Sequence, residues 1–555
     1  MYTNRRSFLK GLCVASTTLG ITSALSAADT PQGLKMPEVA SEGAELQIGD
    51  DIAIAETQLG KVKGYVSHGI YTFMGIPYAA DTSGTNRFQP PQPREPWEGV
   101  RPTVFCGNSA PQDVYPRQSD SYDTFLDHWN YDELGEDCLY LNVWSPKLDR
   151  RKRPVLVWLH GGGFVRGNGM EQDGYHGEHL SQAGDMVFVS VNHRLGVFGF
   201  SDLSGAGGQA FASSGNVGML DLVAALKWVR DNIAQFGGDP GNVTIMGQSG
   251  GGAKVCLLCA MPEAKGLFQR AVALSGNTLD AIPQQDSRQL GEYILKEAGL
   301  EADQLDQLQY MPWREYLDLA QRAARRMDCE VGGTGRRRGA FGPVADGVHI
   351  PARRFFEPGG DAASDVPMLL CTTVHEWGPS RYDPTAEDIT LPEAKERLRE
   401  RYGKNTDRIV EAYAKTFPHA RPVEVWSMIL SSRQSVVQTA NAKLHQKSPV
   451  YMAWFDWDSP LFGGRLRSFH CLDISFWFLN TSRMMTHTGG GPRPQALSLK
   501  MADALLRFMR TGDPNGGALP RWPRYTRERG ETMVLSDTCE LKNDPDHAAR
   551  QTLPA

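Results

Sequence analysis

Short runs of nearly unbroken apolar residues recur along this chain, and no other feature limits its fold so sharply. Pro154-Val155-Leu156-Val157-Trp158-Leu159 is the first, set between basic residues and three glycines. Residues 186–191, 242–246, 366–370 and 450–455 repeat the theme. A strand with one wet face alternates apolar and polar residues. A run that does not alternate is buried on both faces, as in a parallel sheet. Parallel neighbours need long crossover connections, and the intervening segments have helical length and period. In 220–236, Leu222, Leu226, Val229 and Ile233 recur at helix spacing while Lys227, Arg230 and Asp231 stay polar. The expectation is an α/β fold, a large and mostly parallel sheet flanked by helices. Residues 288–338 and 391–448 are charged and lack strand signals. They read as helical insertions over the sheet, placed to wall a gorge.

The 555 residues carry a net charge of −6, which gives no electrostatic reason to expect nucleic acid or an anionic membrane as partner. Arg336-Arg337-Arg338, beside several glycines, reads as a solvated loop. Near the start, Asn4-Arg5-Arg6-Ser7-Phe8-Leu9-Lys10 precedes a weakly apolar run at 11–25 and the small residues Ser26-Ala27-Ala28. Together they read as a twin-arginine export signal over 1–28, which places the mature chain in a bacterial periplasm or outside the cell. Residues 29–49 form a polar, Pro/Gly-containing arm. No other run of 18 or more apolar residues follows, so no membrane-spanning segment is expected in the mature chain. Of nine cysteines, eight lie beyond the signal, with no paired CxxC spacing. Neither a metal nor a cofactor is expected, and Cys256 and Cys259 read as buried thiols.

Chemistry concentrates where a strand runs into a helix. Gly247-Gln248-Ser249-Gly250-Gly251 follows the run at 242–246 and precedes the helix-prone 253–258. A serine on so tight a turn is forced into a strained backbone with its hydroxyl exposed, and flanking glycines relieve the crowding. The helix N-terminus adds positive potential where an oxyanion would form. His160-Gly161-Gly162-Gly163-Phe164 directly follows the run at 154–159. Consecutive glycines let backbone N–H groups face a substrate oxygen unhindered, and each such donor is worth about 2.7–4 kcal/mol to an acyl-transfer transition state. A serine also needs a base, and the base needs an orienting acid. Behind such a turn the chain order is serine, acid, histidine. Glu376 falls just past the run at 366–370, and His470 lies in the loop after 450–455. Position alone leaves Asp346 open as the acid and His445 or His487 as the base.

These motifs resemble the type-B carboxylesterases, the family of para-nitrobenzyl esterases, animal carboxylesterases and cholinesterases. The likeness runs from Phe73-Met74-Gly75-Ile76-Pro77 through Glu136-Asp137-Cys138-Leu139-Tyr140-Leu141-Asn142-Val143, Asn192-His193-Arg194 and Phe236-Gly237-Gly238-Asp239-Pro240. It ends near Thr511-Gly512-Asp513-Pro514. The resemblance implies an α/β-hydrolase fold, with 50–550 as one catalytic domain acting on small-molecule esters. It implies Ser249, Glu376 and His470 as the triad, and Gly162, Gly163 and Gly250 as oxyanion donors. Ser275 and Gln248 are implied as supports around the triad. Gln248 stands where the family usually has glutamate, and Gly250 where alanine is common. The family's first disulfide finds its nearest counterpart in Cys106 and Cys138. Amide, carbamate, thioester or choline-ester bonds suit the same machinery, and Trp129 lies near the place of a cholinesterase cation-holding aromatic. A non-catalytic binding protein on this fold is the remote alternative.

Overall fold

The computed structural model describes residues 34, 44–114, 123–127, 129–130, 133–331, 339–358, 362–363 and 365–554. The expected export signal, most of the arm and the Arg336–Arg338 loop lie outside the described residues.

Twelve strands form one sheet. In chain order they are β1 (Leu46–Gln47), β2 (Tyr65–Ser67), β3 (Ile70–Pro77), β4 (Tyr140–Ser145), β5 (Arg153–Leu159) and β6 (Val187–Val191). There follow β7 (Gly238–Gln248), β8 (Arg270–Leu274), β9 (Met368–Thr373), β10 (Val450–Phe455), β11 (Glu531–Leu535) and β12 (Glu540–Asn543). Across the sheet the order is β1-β2-β3-β4-β6-β5-β7-β8-β9-β10-β11-β12. From β6 to β11 every neighbouring pair is parallel. Antiparallel pairs flank that block on both sides.

The five apolar runs all became strands of the parallel block, two of them starting late: the run at 186–191 begins its strand at Val187. The run at 366–370 starts its strand only at Met368, because Pro367 has no N–H to give to a ladder. β5, β6, β9 and β10 are buried at every residue. Successive residues serve opposite faces. Val155, Val157, Ile245, Ala271, Leu370 and Met452 belong to one core, while Leu156, Trp158, Met246, Val272, Leu369 and Tyr451 belong to the other. Helix α1 (Val217–Asn232) covers the first core with Leu222, Leu226 and Val229, and α2 (Gly250–Ala260) is buried along its length beside it. The stretch at 288–338 supplies α3 (Gln284–Ala298) and α4 (Trp313–Val331). The stretch at 391–448 supplies α5 (Leu391–Tyr402), α6 (Thr406–Thr416), α7 (Pro422–Ile429) and α8 (Arg433–Lys443). The second core is closed by α9 (Pro492–Thr511), through Leu497, Met501, Leu505 and Phe508.

Several resemblance motifs turn out to be scaffolding. Arg194 meets Asp221 of α1 at 2.6 Å with both side chains buried, and Arg87 meets Glu136 at 2.6 Å. Cys138 is a free, buried thiol in the first core, whereas Cys106 packs against the second. The sheet separates the two cores, and the Cys106–Cys138 bridge is not formed. Among the described residues no helix is long and apolar enough to cross a membrane.

Candidate active site

β7 ends at Gln248 and α2 begins at Gly250, so the turn between them is Ser249 alone. Its backbone sits at φ 57°, ψ −126°, a conformation that costs a Cβ-bearing residue about 1–3 kcal/mol. The surroundings hold it there. Ser249 N–H donates to the Leu274 carbonyl at 2.8 Å, and Ala253 N–H donates to the Ser249 carbonyl at 3.1 Å. A Cβ at Gly251 would stand 2.0 Å from the Leu159 carbonyl oxygen, so only glycine lets α2 start this close to β5.

The loop 160–164 leaves β5 against the same turn. Gly162 and Gly163 have φ of 78° and 65°, and a Cβ at Gly161 would lie 3.4 Å from the Ser249 Cβ. Among the described residues, no protein acceptor takes the amide hydrogens of Gly162, Gly163 or Gly250. A Cβ at Gly250 would stand 2.0 Å from the Gly163 carbonyl oxygen. Glycine in place of the family's common alanine therefore accompanies a loop that hugs the serine turn.

Glu376 lies three residues beyond the end of β9, at φ 23° and fully buried. One carboxylate oxygen accepts the Thr372 hydroxyl at 2.5 Å and the Thr373 N–H at 3.2 Å. The other makes a short contact with Nδ1 of His470. His470 N–H also donates to the Glu376 carbonyl at 2.8 Å, locking backbone to backbone. Burial works to neutralise Glu376, but His470 and the hydroxyls of Ser275 and Thr372 outweigh it and hold the carboxyl below its ordinary value. For His470, burial disfavours the charged ring, yet the Cys471 sulfur and the Glu376 carboxylate prevail. The imidazole titrates well above its ordinary value.

Ser275 follows β8 at φ 47°, its N–H donating to the Cys371 carbonyl at 2.8 Å. The Gln248 amide nitrogen lies 3.3 Å from both His470 ring nitrogens, and its oxygen accepts the Cys471 thiol at 3.2 Å. Among the described residues no hydrogen bond joins the Ser249 hydroxyl to His470. The Gln248 amide meets the ring alongside the Glu376 carboxylate.

Three neighbours were not foreseen. Thr372 anchors Glu376. The half-exposed Trp377 lies over the imidazole, with ring centroids 4.2 Å apart. Asp473 is a second buried acid, pushed up to about 7 by burial and then by Glu376. Only closeness in sequence to Glu376 or His470 could have flagged them. The open alternatives went elsewhere. Asp346 accepts the N–H groups of Val348, His349 and Ile350 and so closes a turn. His487 meets the Leu126 carbonyl at 2.9 Å, and Trp129 packs edge-on against it. His445 lines a separate cavity of about 440 Å³ with Arg354 and Arg527.

The model of the carboxylesterase family matches residues 51–552. Para-nitrobenzyl esterase of Bacillus subtilis is 35% identical over 90% of this chain and 98% of its own. Phenmedipham hydrolase of Pseudarthrobacter oxydans is 32% identical over 90% and 99%. Among solved structures, an esterase of Clostridium hathewayi, described as able to hydrolyse aliphatic aromatic polyesters, is 36% identical. It superposes with a TM-score of 0.78 over 91% of this chain and 98% of its own. The Geobacillus stearothermophilus carboxylesterase is 35% identical with a TM-score of 0.74, covering 90% and 100%. A family match along nearly the whole described chain, on an α/β-hydrolase sheet, means that this protein belongs to the carboxylesterase family and is a carboxylic ester hydrolase.

Proposed function

We propose that the chain is an exported serine esterase whose single catalytic domain, residues 50–550, cleaves carboxylic esters through an acyl-enzyme on Ser249. The Ser249 hydroxyl attacks the ester carbonyl while His470 accepts its proton. Glu376 orients the imidazole through Nδ1 and stabilises the imidazolium that forms. The oxyanion is received by the Gly162, Gly163 and Gly250 N–H groups, aided by the positive end of α2. His470 then protonates the departing alcohol, and a water activated by the same imidazole releases the acid. Gln248 and Ser275 act by contact with His470 and Glu376 rather than with substrate. Gln248 is neutral where the family usually has glutamate, so the residue beside the nucleophile adds no negative charge, and Glu376 is the carboxylate that meets the imidazole.

One observation carries this reading: a buried Glu376–His470 contact beside a positive-φ serine and loop amides without protein partners. The test is labelling with diisopropyl fluorophosphate. One phosphoryl group per chain on the Ser249 peptide, with parallel loss of ester hydrolysis, is the expected result. An active enzyme with no label there overturns it. Export is tested separately by replacing Arg5 and Arg6 with lysine, which should leave the protein in the cytoplasm of its bacterial host.

A further inference from the structure

The helix that follows the proposed nucleophile carries Lys254, five residues beyond Ser249. Lysine is seldom fully buried, because its ammonium must be compensated by specific contacts. This one has no exposed surface. Its Nζ donates to the His160 carbonyl at 2.9 Å and stands 5.8 Å from the centroid of the Phe164 ring. His160 and Phe164 are the two residues that flank Gly161-Gly162-Gly163. One side chain rooted in α2 thus touches both ends of the glycine loop.

That connection matters because the oxyanion donors come from two different elements. Gly250 opens α2, whereas Gly162 and Gly163 belong to the loop after β5. Preorganised donors act only when they are held to within about 0.5 Å of the productive geometry. Glycines at positive φ have no side chains with which to anchor themselves. The Gly162 carbonyl accepts the Val165 and Arg166 N–H groups at 3.4 and 3.2 Å and the Phe164 carbonyl accepts the Gly196 N–H at 2.7 Å, but none of these bonds reaches α2.

The groups around Lys254 fit such a role. Glu171 is buried, accepts the Tyr175 hydroxyl at 2.9 Å, and is pushed up to about 7 by burial. Burial likewise brings Lys254 down to about 7, with Glu171 opposing the change. The His160 and His193 rings stack 5.2 Å apart. Burial first, and then the Lys254 charge, holds both well below the ordinary histidine value. Glu171 is thus the neighbour whose charge favours the Lys254 ammonium, and the two imidazoles do not compete with it for a proton.

We propose that Lys254 is a positioning residue for ester hydrolysis: it ties α2 to both flanks of the glycine loop and so fixes the spacing between the Gly250 amide and the Gly162 and Gly163 amides. The proposal rests on Ser249 being the nucleophile. Lys254→Met keeps the apolar stem and removes the tie. Losing a whole oxyanion donor costs about 10²–10³ in kcat, and a loosened pair should lose less. The expected result is a fall in kcat of about 10- to 50-fold, with KM within about threefold. Affinity for an aryl trifluoromethyl ketone, whose oxyanion occupies the same amides, should fall in parallel with kcat/KM. A lysine that served only the fold would lower the melting temperature and leave that affinity unchanged. Should circular dichroism show Lys254→Met to be unfolded, Lys254→Leu supplies the same comparison. A folded variant with kcat and ketone affinity within twofold of the parent overturns the proposal. End-point phosphorylation of Ser249 should remain stoichiometric in parent and variant. Its absence in the parent overturns the nucleophile assignment, and this proposal with it.

Discussion

The middle of the sheet and its carboxyl rim are built on opposite terms, although the same strands form both. Ala271, Val272, Ala273 and Leu274 of β8 are fully buried and apolar, while Ser275, one residue later, has φ 47°. The pattern repeats across four adjacent strands. Ser249 follows β7 at 57°, Glu376 follows β9 at 23°, and Arg467 and Cys471 follow β10 at 53° and 75°. Each such residue costs about 1–3 kcal/mol, and the same rim buries Glu376, His470 and Asp473. Each buried aliphatic side chain in the strand middles returns about 1.5–3 kcal/mol. Stability and chemistry are thus segregated along single strands, and residues a few positions apart should respond to mutation in different currencies.

The contrast breaks most visibly at Ser249. Ser249→Ala should reduce kcat on the order of a million-fold, while the thermal midpoint moves by no more than about 4 °C. Glu376→Gln comes next, at about 10⁴-fold in kcat. It should also change the pH profile. His470 works as a base only when deprotonated, and its value is raised above the ordinary 6.5. Parent activity is therefore present at higher pH and lost as pH falls through that raised value. Without the carboxylate the imidazole is less basic, and the acid limb of kcat/KM should move to lower pH.

Two further substitutions sharpen the comparison on its stability side. Leu369→Ala, in the fully buried middle of β9, should cost about 2–5 kcal/mol in urea unfolding and leave kcat per folded molecule unchanged. Cys471→Gly places a residue without Cβ at φ 75°. It should raise stability by about 1 kcal/mol while loosening Gln248, which loses the thiol. A destabilised Cys471→Gly would mean that the rim is not strained there.

The same division explains how much was legible in the sequence. Strand middles announce themselves, because burial on both faces demands unbroken apolar runs such as 154–159 and 450–455. The serine turn was equally legible, since the glycines around Ser249 are required by local crowding. Glu376 and His470 were narrower inferences. Chain order and strand ends suggested them, but Asp346, His445 and His487 met the same criteria until the family resemblance chose between them. What stayed hidden depends on contacts between segments far apart in the chain. Lys254 reaches back 94 residues to the His160 carbonyl, and no local pattern marks a lysine that will be buried. The suggested Cys106–Cys138 bridge failed for a related reason: sequence proximity to a motif does not tell which face of the sheet a side chain joins.

The account treats Ser249, His470 and Glu376 as one unit, and the Ser249→Ala/Glu376→Gln double variant tests that unity. If they act together, the double variant should hydrolyse a p-nitrophenyl ester at the residual rate of Ser249→Ala alone, because the acid has nothing left to assist. A double variant slower than Ser249→Ala by the further factor that Glu376→Gln costs on its own would mean that the two residues act independently, and the proposed triad would be wrong.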